Sequence, residues 1–498
     1  MTTDATSYRI GVNFTPLDWA IFAINKFGIY KDWINGSSIF DPTMGTGNLL
    51  AALIETGLSQ GLSIQELPVH QLFGNELNVL LHKEATNRFL QEYGVDMTLN
   101  FTNSDFFELE QKEYDIIFGN PPWMNFTDLP QEYKTKFKSA FLEYDLVENS
   151  KKVLLGGSRI DIAALVIQKS IADFLSPNGH AYFFQPLSLL LNDGAHDAFR
   201  RYQVKGESFS LEQVYDFKEV EVFSNVSTRH GLVHYQKGKQ TGFPISYFVN
   251  INEKWNEKYA KPILSETGPL SILDKDTPPP LFNFSPIPLS KSSKPRQGVN
   301  TSGTNSIFFF DSYQDIDDEV CLMNEQYRLP KRFIFPLLTS QNFKTTSAEP
   351  KKWVLLPYSE DGRPLELDVL KSHKLLWEYL ELHRTALSTR KGRMIQTWRD
   401  RGYWWALLGV GKYNFCKHKV VWEAYGRKTF QPKLFSGRWQ VNQSLQAYIP
   451  LNNKKEAKRI LSSLKNPSIE HYLQSLKMEG TMNWAQPGKI SKLLQFND

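Results

Sequence analysis

The order of strands, turns and helices in the first half of the chain predicts an α/β fold with a mostly parallel sheet. Three short apolar runs, near residues 38–41, 71–75 and 115–118, each stop at a glycine, an acid or a proline. Such runs are typical of buried strands in α/β domains. Because ligands bind these sheets at the carboxyl ends of the strands, the residues that follow each run form the candidate site.

Length and charge indicate more than one domain. The chain has 498 residues, of which 41% are hydrophobic and 13% aromatic, which is enough for two or more cores. Residues 1–250 contain 20 Lys and Arg against 29 Asp and Glu, whereas residues 251–498 contain 37 against 24. The halves therefore carry net charges of −9 and +13, which sum to the +4 of the chain. A basic second half suits a polyanionic partner, although a merely solvated surface has the same composition.

Targeting signals and metal sets are not evident in the sequence. No apolar run reaches about 18 residues, so we expect no membrane span. The first residues lack the basic and apolar regions of a secretory leader. Cys321 and Cys416 are too few for a disulfide framework or a metal set. We expect a cytoplasmic protein that needs no metal.

The first predicted element is a helix. Thr15 is suited to the N-cap and Pro16 to the first helical position, and apolar residues follow at helical spacing. This pattern alone is also that of an ordinary capped helix.

A glycine-rich turn follows the first predicted strand. Gly45 and Gly47 allow backbone amides to approach a ligand, and the next helix N-terminus favours a negative group. Asp41 at the strand end can hold a cationic amine. The turn has two glycines and not the three of a dinucleotide fingerprint, so by itself it is a weak signal.

Acids also end the next two segments. Glu76 follows the second strand, where it can accept hydrogen bonds from both hydroxyls of a ribose. Asp105 with Phe106 suits the amino edge and the face of an adenine. Each acid alone would more often be solvated or capping, but together they occupy successive strand ends.

The most informative stretch is Asn120-Pro121-Pro122-Trp123, directly after the third apolar run. Neither proline has an N–H and each fixes its own φ, so the backbone there is stiff. The Asn120 side-chain oxygen and the Pro121 carbonyl can both accept from a planar amino group while Trp123 stacks on its ring. A neutral Asn stabilises charge by its dipole and does not act as a general base. The alternative is a proline-rich turn.

These motifs together resemble the gamma class of S-adenosylmethionine-dependent DNA adenine-N6 methyltransferases of restriction-modification systems. The matching pieces, in chain order, are Asn13-Phe14-Thr15-Pro16, Asp41-Pro42-Thr43-Met44-Gly45-Thr46-Gly47, Asn75-Glu76, Ser104-Asp105-Phe106 and Asn120-Pro121-Pro122-Trp123. The resemblance implies a Rossmann-like domain with a seven-stranded, mostly parallel sheet. It also implies S-adenosylmethionine as cofactor, with Thr15 and the 41–47 loop on the methionine part, Glu76 on the ribose, and Asp105 with Phe106 on the adenine.

The resemblance also implies residues that hold the target base. Many relatives carry Tyr or Phe where this chain has Trp123. An aromatic before a later strand packs on the far face of a flipped base in the family, and Phe223 matches it. An adenine between Trp123 and Phe223 would offset the cost of unstacking. A core aromatic is the alternative for Phe223.

The second half is expected to recognise DNA. We predict a catalytic domain over residues 1–255, a proline-rich linker over 256–296 and a mixed α+β target-recognition domain over 297–498. Residues 371–440 contain 15 Lys and Arg against 4 Asp and Glu, interleaved with aromatics. The best phosphate-binding candidates are Arg390, Lys391, Arg393, Arg399 and Arg401.

Other activities remain open from the sequence. Cytosine-N4, RNA adenine and release-factor glutamine methyltransferases have a similar Asn-Pro-Pro corner, although the basic second half argues against the last. A catalytically silent DNA-binding subunit of a defence complex is an alternative from another class. We expect double-stranded DNA as the partner, any nuclease on another chain, and a monomer in preference to an oligomer.

Overall fold

The computed structural model describes residues 14–129, 131–147, 160–192, 195–224, 226, 228–262, 265–274, 286–345, 349–425, 429–443, 446–475 and 485–497. The chain divides into two compact units, Met1–Pro279 and Pro280–Asp498. Asn13 of the first motif lies outside the described residues. Among the described residues, no helix has the length and apolarity that crossing a membrane requires.

The first unit is built on a large mixed sheet flanked by helices. Its helices are α1 Leu17–Phe27, α2 Ile29–Ile34, α3 Asn48–Ser59, α4 Val79–Tyr93, α5 Gln131–Glu143, α6 Ile162–Lys169 and α7 Ser188–Leu191. Its strands are β1 Ile39–Asp41, β2 Leu72–Asn75, β3 Phe101–Thr102, β4 Tyr114–Gly119, β5 Leu175–Pro186, β6 Gln203–Val204, β7 Glu207–Asp216, β8 His230–Lys237, β9 Ile245–Ile251, β10 Lys254–Pro262 and β11 Leu270–Asp274.

The sheet order places the predicted strands side by side. The described residues form an 11-stranded sheet in the order β11-β10-β9-β7-β8-β5-β4-β1-β2-β3, with β6 paired to β7. Strands β1 to β5 are mutually parallel where they pair, and β8 runs antiparallel to both β5 and β7. The sheet continues through β10, which spans the expected boundary at residue 255, and through β11, which lies within the expected linker over 256–296. It is therefore larger than the seven strands expected.

Apolar residues explain why these elements pack together. The short strands β1 and β4 are buried over nearly their whole length, as the continuous apolar runs in the sequence predict. Helix α3 buries residues on several sides, including Leu50 and Leu53, against the same core as Ile116 of β4. The core thereby fixes the strand ends relative to one another.

The second unit consists of several smaller sheets with helices between them. Its strands are β12 Ile287–Ser290, β13 Arg296–Gln297, β14 Phe309–Phe310, β15 Tyr313–Asp315, β16 Val320–Met323, β17 Tyr327–Pro330, β18 Ile334–Leu338, β19 Trp353–Leu355, β20 His418–Glu423, β21 Lys433–Ser436, β22 Gln440–Val441, β23 Gln446–Leu451 and β24 Leu494–Asn497. Its helices are α8 Asn305–Phe308, α9 Ser340–Thr345, α10 Leu367–Ser372, α11 Lys374–Leu382, α12 Arg384–Ser388, α13 Arg393–Asp400, α14 Lys454–Leu464, α15 Pro467–Ser475 and α16 Pro487–Ser491.

These small sheets share residues from distant parts of the sequence. One sheet has the order β13-β23-β20-β21 and another β14-β19-β18-β22, so strands more than 100 residues apart become neighbours. Trp405 and Trp422, which the sequence places in the basic and aromatic region, are buried core residues.

Candidate active site

The carboxyl ends of β1, β2 and β4 meet at one edge of the sheet. Asp41 is the last residue of β1 and pairs with Gly74 of β2, while Phe40 pairs with Ile117 of β4. Glu76 follows β2 directly and Asn120 follows β4 directly. Parallel pairing therefore brings together side chains that are up to 79 positions apart in the sequence.

The turn after β1 needs its glycines. Gly45 and Gly47 have φ values of 56° and 78°, a region that favours glycine. A Cβ on Gly45 would lie 3.0 Å from the Phe14 ring, and one on Gly47 would lie 3.0 Å from the Phe89 ring. The turn passes directly into α3, and its Gly45 N donates to Glu76, the residue that follows β2.

Two carboxylates lie on this edge, of which Asp41 is buried and Glu76 is partly buried. Thr43 N donates to Asp41 Oδ1 at 3.1 Å, but burial raises the pKa of Asp41 to about 8, with a further contribution from the nearby Glu76 charge. Glu76 accepts from Gly45 N at 2.9 Å and from Asn78 N at 2.7 Å, and burial likewise raises its pKa. A positive charge beside these groups would relieve the cost of ionising them.

A third carboxylate lies on the same side. Asp105 accepts from Phe107 N at 2.9 Å and forms an ion pair with Lys136 of α5 at 2.6 Å. Lys136 also contacts Glu108 at 2.6 Å. The sequence motif identified Asp105, but it did not identify the lysine that reaches it from a later helix.

Asn120 is held by the residue expected to cap the first helix. Its Nδ2 donates to the hydroxyl oxygen of Thr15 at 3.0 Å, and Thr43 Oγ1 donates to its backbone carbonyl at 3.3 Å. The N-cap position of α1 is Pro16 and not Thr15, and no side-chain cap bond forms. The helix-start prediction was therefore wrong by one residue, because the Thr15 hydroxyl bonds to Asn120 instead.

One cavity of about 270 Å³ connects most of the residues that the sequence singles out. Its lining includes the predicted Thr15, Asp41, Thr43, Gly45, Glu76, Asp105, Phe106, Asn120 and Pro122. Pro42, Gly47, Pro121, Trp123 and Phe223 are not among its lining residues. The cavity carries three carboxylates and a large apolar wall.

The apolar wall contains residues that sequence reasoning missed. Phe107, Met124, Tyr133, Phe137 and Val166 line the cavity. Tyr133 and Phe137 are four residues apart on α5, so they share a helix face. That spacing is the one signal that was available in advance, and it does not say what the face covers.

The two aromatics expected to sandwich a target base contact each other instead. The Trp123 and Phe223 rings are edge to face, with centroids 5.0 Å apart and planes at 87°. Phe223 is only 4% exposed, and both rings also contact His230. A base between two rings needs them about 7–8 Å apart. In this arrangement the two rings leave no space for a base between them.

Arg390 was expected to bind phosphate, and the structure contradicts this. It is 5% exposed and donates to the backbone carbonyls of Leu387, Thr301 and Trp404, at 3.1, 3.3 and 2.7 Å. Burial lowers the pKa of Arg390 to about 10. The residue is a structural support, because its donors are used inside the second unit.

The other basic candidates are more accessible. Lys391, Arg393 and Arg401 are exposed, and Arg401 lies 5.8 Å from the centroid of the Trp398 ring. Arg399 is partly buried and donates to Ser388 O. Three of the five predicted phosphate ligands are therefore on the surface of the second unit.

Parts of this chain are similar in sequence to restriction-modification methylases. The family described as Eco57I restriction-modification methylase matches residues 64–223. The chain is 26% identical over 319 residues to the type II restriction enzyme and methyltransferase RM.Eco57I of Escherichia coli, covering 57% of this chain and 30% of that protein. It is 25% identical over 237 residues to the type II methyltransferase M.HincII of Haemophilus influenzae, covering 47% of this chain and 39% of that protein.

Solved structures share the fold. The type IIL restriction-modification enzyme MmeI in complex with DNA has a TM-score of 0.55 at 13% identity, covering 95% of this chain and 65% of that chain. The DrdV–DNA complex has a TM-score of 0.53 at 14% identity, covering 98% and 57%. The chain spans between about a third and two thirds of the length of these relatives.

Among the described residues, no group of three or more His, Cys, Asp or Glu side chains could hold a metal ion.

Proposed function

We propose that this chain transfers the methyl group of S-adenosylmethionine to the N6 amine of an adenine flipped out of a specific double-stranded DNA sequence. The observation that carries the proposal is the position of Asn120. It lies at the end of β4 on the rim of a cavity whose other polar residues suit this cofactor. The similarity to restriction-modification methylases supports DNA as substrate and a role in a modification or phage-defence system.

The cavity chemistry fits the cofactor. Asp41 is a buried carboxylate that gains from a nearby cation, and the cofactor carries both an ammonium and a sulfonium. Glu76 has two oxygens positioned by backbone amides, each with further capacity to accept from ribose hydroxyls. Asp105 and Phe106 would hold the adenine. Because three carboxylates line the cavity, a nucleotide with several phosphates is a poor fit.

The hydrogen bond between Asn120 and Thr15 supports a role for Asn120 in polarising an exocyclic amine. Its amide nitrogen donates to Thr15, so its oxygen is the end that accepts. With the Pro121 carbonyl, this oxygen would accept both amine protons and make the nitrogen a better nucleophile. When bound, S-adenosylmethionine supplies an electrophilic methyl group. Since Asn takes up no proton at neutral pH, the proton released by the methylated amine passes to water.

Trp123 and Phe223 would receive the target base only after their rings separate. The present edge-to-face contact closes the space between them. Trp123 Nε1 is buried and, among the described residues, has no hydrogen-bond partner. An unsatisfied buried donor costs about 1–3 kcal/mol. The contact between the two rings is therefore less stable than a fully hydrogen-bonded one, and a ligand can separate the rings at a lower free-energy cost.

We further propose that the first unit is catalytic and that the second recognises the DNA target. The exposed Lys391, Arg393 and Arg401 would bind phosphates. We also propose that the protein acts as a monomer.

The test is methylation-sensitive long-read sequencing of DNA from a methylation-free host that expresses either the protein or its Asn120→Ala variant. We expect N6-methyladenine at one short motif, lost in the variant by a factor of about 10²–10³ in rate. S-adenosylmethionine affinity, measured by calorimetry, should change little. Equal loss of transfer and cofactor binding would mean that Asn120 supports the fold.

The matched control is Asn100→Ala. Asn100 is another side-chain amide of the first unit, and it bonds to the carbonyls of His70 and Leu72 away from the cavity. This variant should keep the methylation pattern. If the unaltered chain leaves adenine in DNA unmodified but methylates cytosine or RNA in parallel assays, the proposed N6-adenine substrate is wrong. Cytosine or RNA would then be the substrate.

A further inference from the structure

A second polar cavity lies in the second unit, and the sequence analysis did not assign it. It has a volume of about 270 Å³. Six polar residues, four of them with side-chain amides, line it, and we call it the amide cleft: Asn300, Thr301, Asn305, Tyr425, Asn442 and Gln443.

Distant segments hold the floor of the amide cleft. Val299 N donates to Val441 O at 2.7 Å, and Gln443 N donates to Val299 O at 3.2 Å. Asn300 and Leu408 exchange two backbone hydrogen bonds at 2.9 and 3.0 Å. The segments are packed so closely that a Cβ on Gly298 would lie 2.1 Å from a backbone oxygen. The floor is therefore rigid.

Arg390 supports the loop above that floor. Its guanidinium donates to Thr301 O and also to Trp404 O, so it connects the loop to a buried aromatic segment. The loop turns at Ser302 and Gly303, which have φ values of 54° and 91°. Asn300 Oδ1 accepts from Ser302 N at 2.7 Å and holds this turn.

The hydrogen bonds within the amide cleft indicate which donors and acceptors of Asn300 and Gln443 could bond to a ligand. A backbone N–H can only donate, so the Asn300 oxygen is the end bonded to Ser302 and its Nδ2 is a donor for a ligand. Gln443 Nε2 donates to Gln297 Oε1 at 3.1 Å, and Gln297 Nε2 donates to Tyr425 OH at 2.8 Å. This relay leaves Gln443 Oε1 as an acceptor and its second N–H as a donor.

The described residues that line the amide cleft carry no charged side chain. None of the described residues that line it is Lys, Arg, Asp or Glu, so it is a poor site for phosphate. Donors and acceptors at fixed positions without charge match the edge of a nucleobase. A Gln side chain with both groups available pairs with the N6 and N7 atoms of adenine.

We propose that the amide cleft reads the edge of one A·T base pair in the DNA target, with Gln443 and Asn300 as specificity-determining residues. This inference rests on the proposed function, since it assumes a DNA substrate. It assigns sequence reading to neutral residues, whereas the exposed basic side chains of the same unit would contact phosphates.

The test compares methylation motifs of the unaltered chain with Gln443→Ala, Gln443→Glu and Asn300→Asp in a methylation-free host. Gln443→Ala should relax one motif position, with a loss of discrimination of about 5- to 150-fold there. Gln443→Glu should shift that position from A toward C, because a carboxylate accepts from the cytosine amine. Asn300→Asp keeps the bond from Ser302 N and removes only the outward donor.

The matched control is Gln314→Glu, the same change at an exposed residue of β15 outside the amide cleft. It should leave the motif unchanged, and equal thermal midpoints of the variants would exclude misfolding. Variants that fold and keep every motif position would overturn the inference while the proposed function stands. Unmodified DNA with the unaltered chain would overturn the proposed function and, with it, this inference.

Discussion

The sequence predicted functional side chains both at the cavity of the first unit and in the basic region of the second. The structure agrees with the predicted positions more closely at the cavity than in the basic region. Around the cavity, Asp41, Glu76, Asp105 and Asn120 converge as their positions after strands suggested. In the basic region, Arg390 is buried, although the composition of the region suggested an exposed residue that binds phosphate.

The difference lies in what each prediction depended on. A residue directly after a parallel strand must lie at the carboxyl edge of the sheet, wherever the rest of the chain goes. A residue in a basic stretch has no such constraint. The second unit brings together strands from far apart in the sequence, so charge density along the chain does not tell which side chains face solvent.

The largest effect that we expect is on stability, and it tests whether Arg390 is an internal structural residue. We expect Arg390→Ala to lower the free energy of unfolding by about 3–5 kcal/mol, because it leaves buried carbonyls without donors and creates a cavity. Urea denaturation of the whole chain, followed by tryptophan fluorescence, measures it. Arg393→Ala, an exposed neighbour, should change stability by less than about 0.5 kcal/mol. Equal effects would place Arg390 on the surface after all.

The next effect concerns the cavity and its dependence on pH. The pKa of Asp41 is raised to about 8, so below that pH a bound cation must displace a proton. We expect S-adenosylmethionine affinity to increase by up to about tenfold per pH unit as pH rises from 6 toward 8. Titration calorimetry in buffers of different ionisation enthalpy would detect the released proton.

The control for this dependence is Asp41→Asn, which removes the titrating group and should bind the cofactor weakly at every pH. The pH dependence of folding stability is opposite in sign to the pH dependence of cofactor affinity. Because the folded pKa lies above the unfolded value of about 3.9, the ligand-free fold takes up a proton. Its stability should decrease as pH rises from about 4 to 8, and a pH dependence unchanged in the variant would rule out Asp41 as its source.

The smallest expected effect belongs to the exposed basic residues. Lys391→Ala and Arg401→Ala should weaken DNA binding uniformly across sequences, and each should reduce the slope of log affinity against log salt by about 1. Fluorescence anisotropy over a salt series measures this slope. Arg390→Met, if it folds, should leave the slope unchanged, since its guanidinium is already used internally. If the slope changed for the Arg390 variant and not for the other two, Arg390 would be the phosphate-binding residue and the exposed residues would not.

Particular residues show how far sequence reasoning reached in the site. The strand ends, the glycine turn and the Asn-Pro-Pro corner were predictable from local pattern, and residues from each of them line the cavity. Lys136 on Asp105 and the wall formed by Tyr133 and Phe137 were not predictable, because α5 reaches the cavity from a later part of the chain. Thr15 was identified, but its hydroxyl bonds to Asn120 and does not cap a helix.

What the sequence determined by itself is local: where strands end, where glycine is needed, and which polar groups stand after each strand. These depend on backbone dihedrals and on short-range periodicity, which a few neighbouring residues control. Only the tertiary structure decided that Arg390 is internal, that Trp123 and Phe223 touch, and that Asn300 and Gln443 share a cleft. Burial and side-chain partners depend on segments that come together only when the whole unit packs, so no local pattern specifies them.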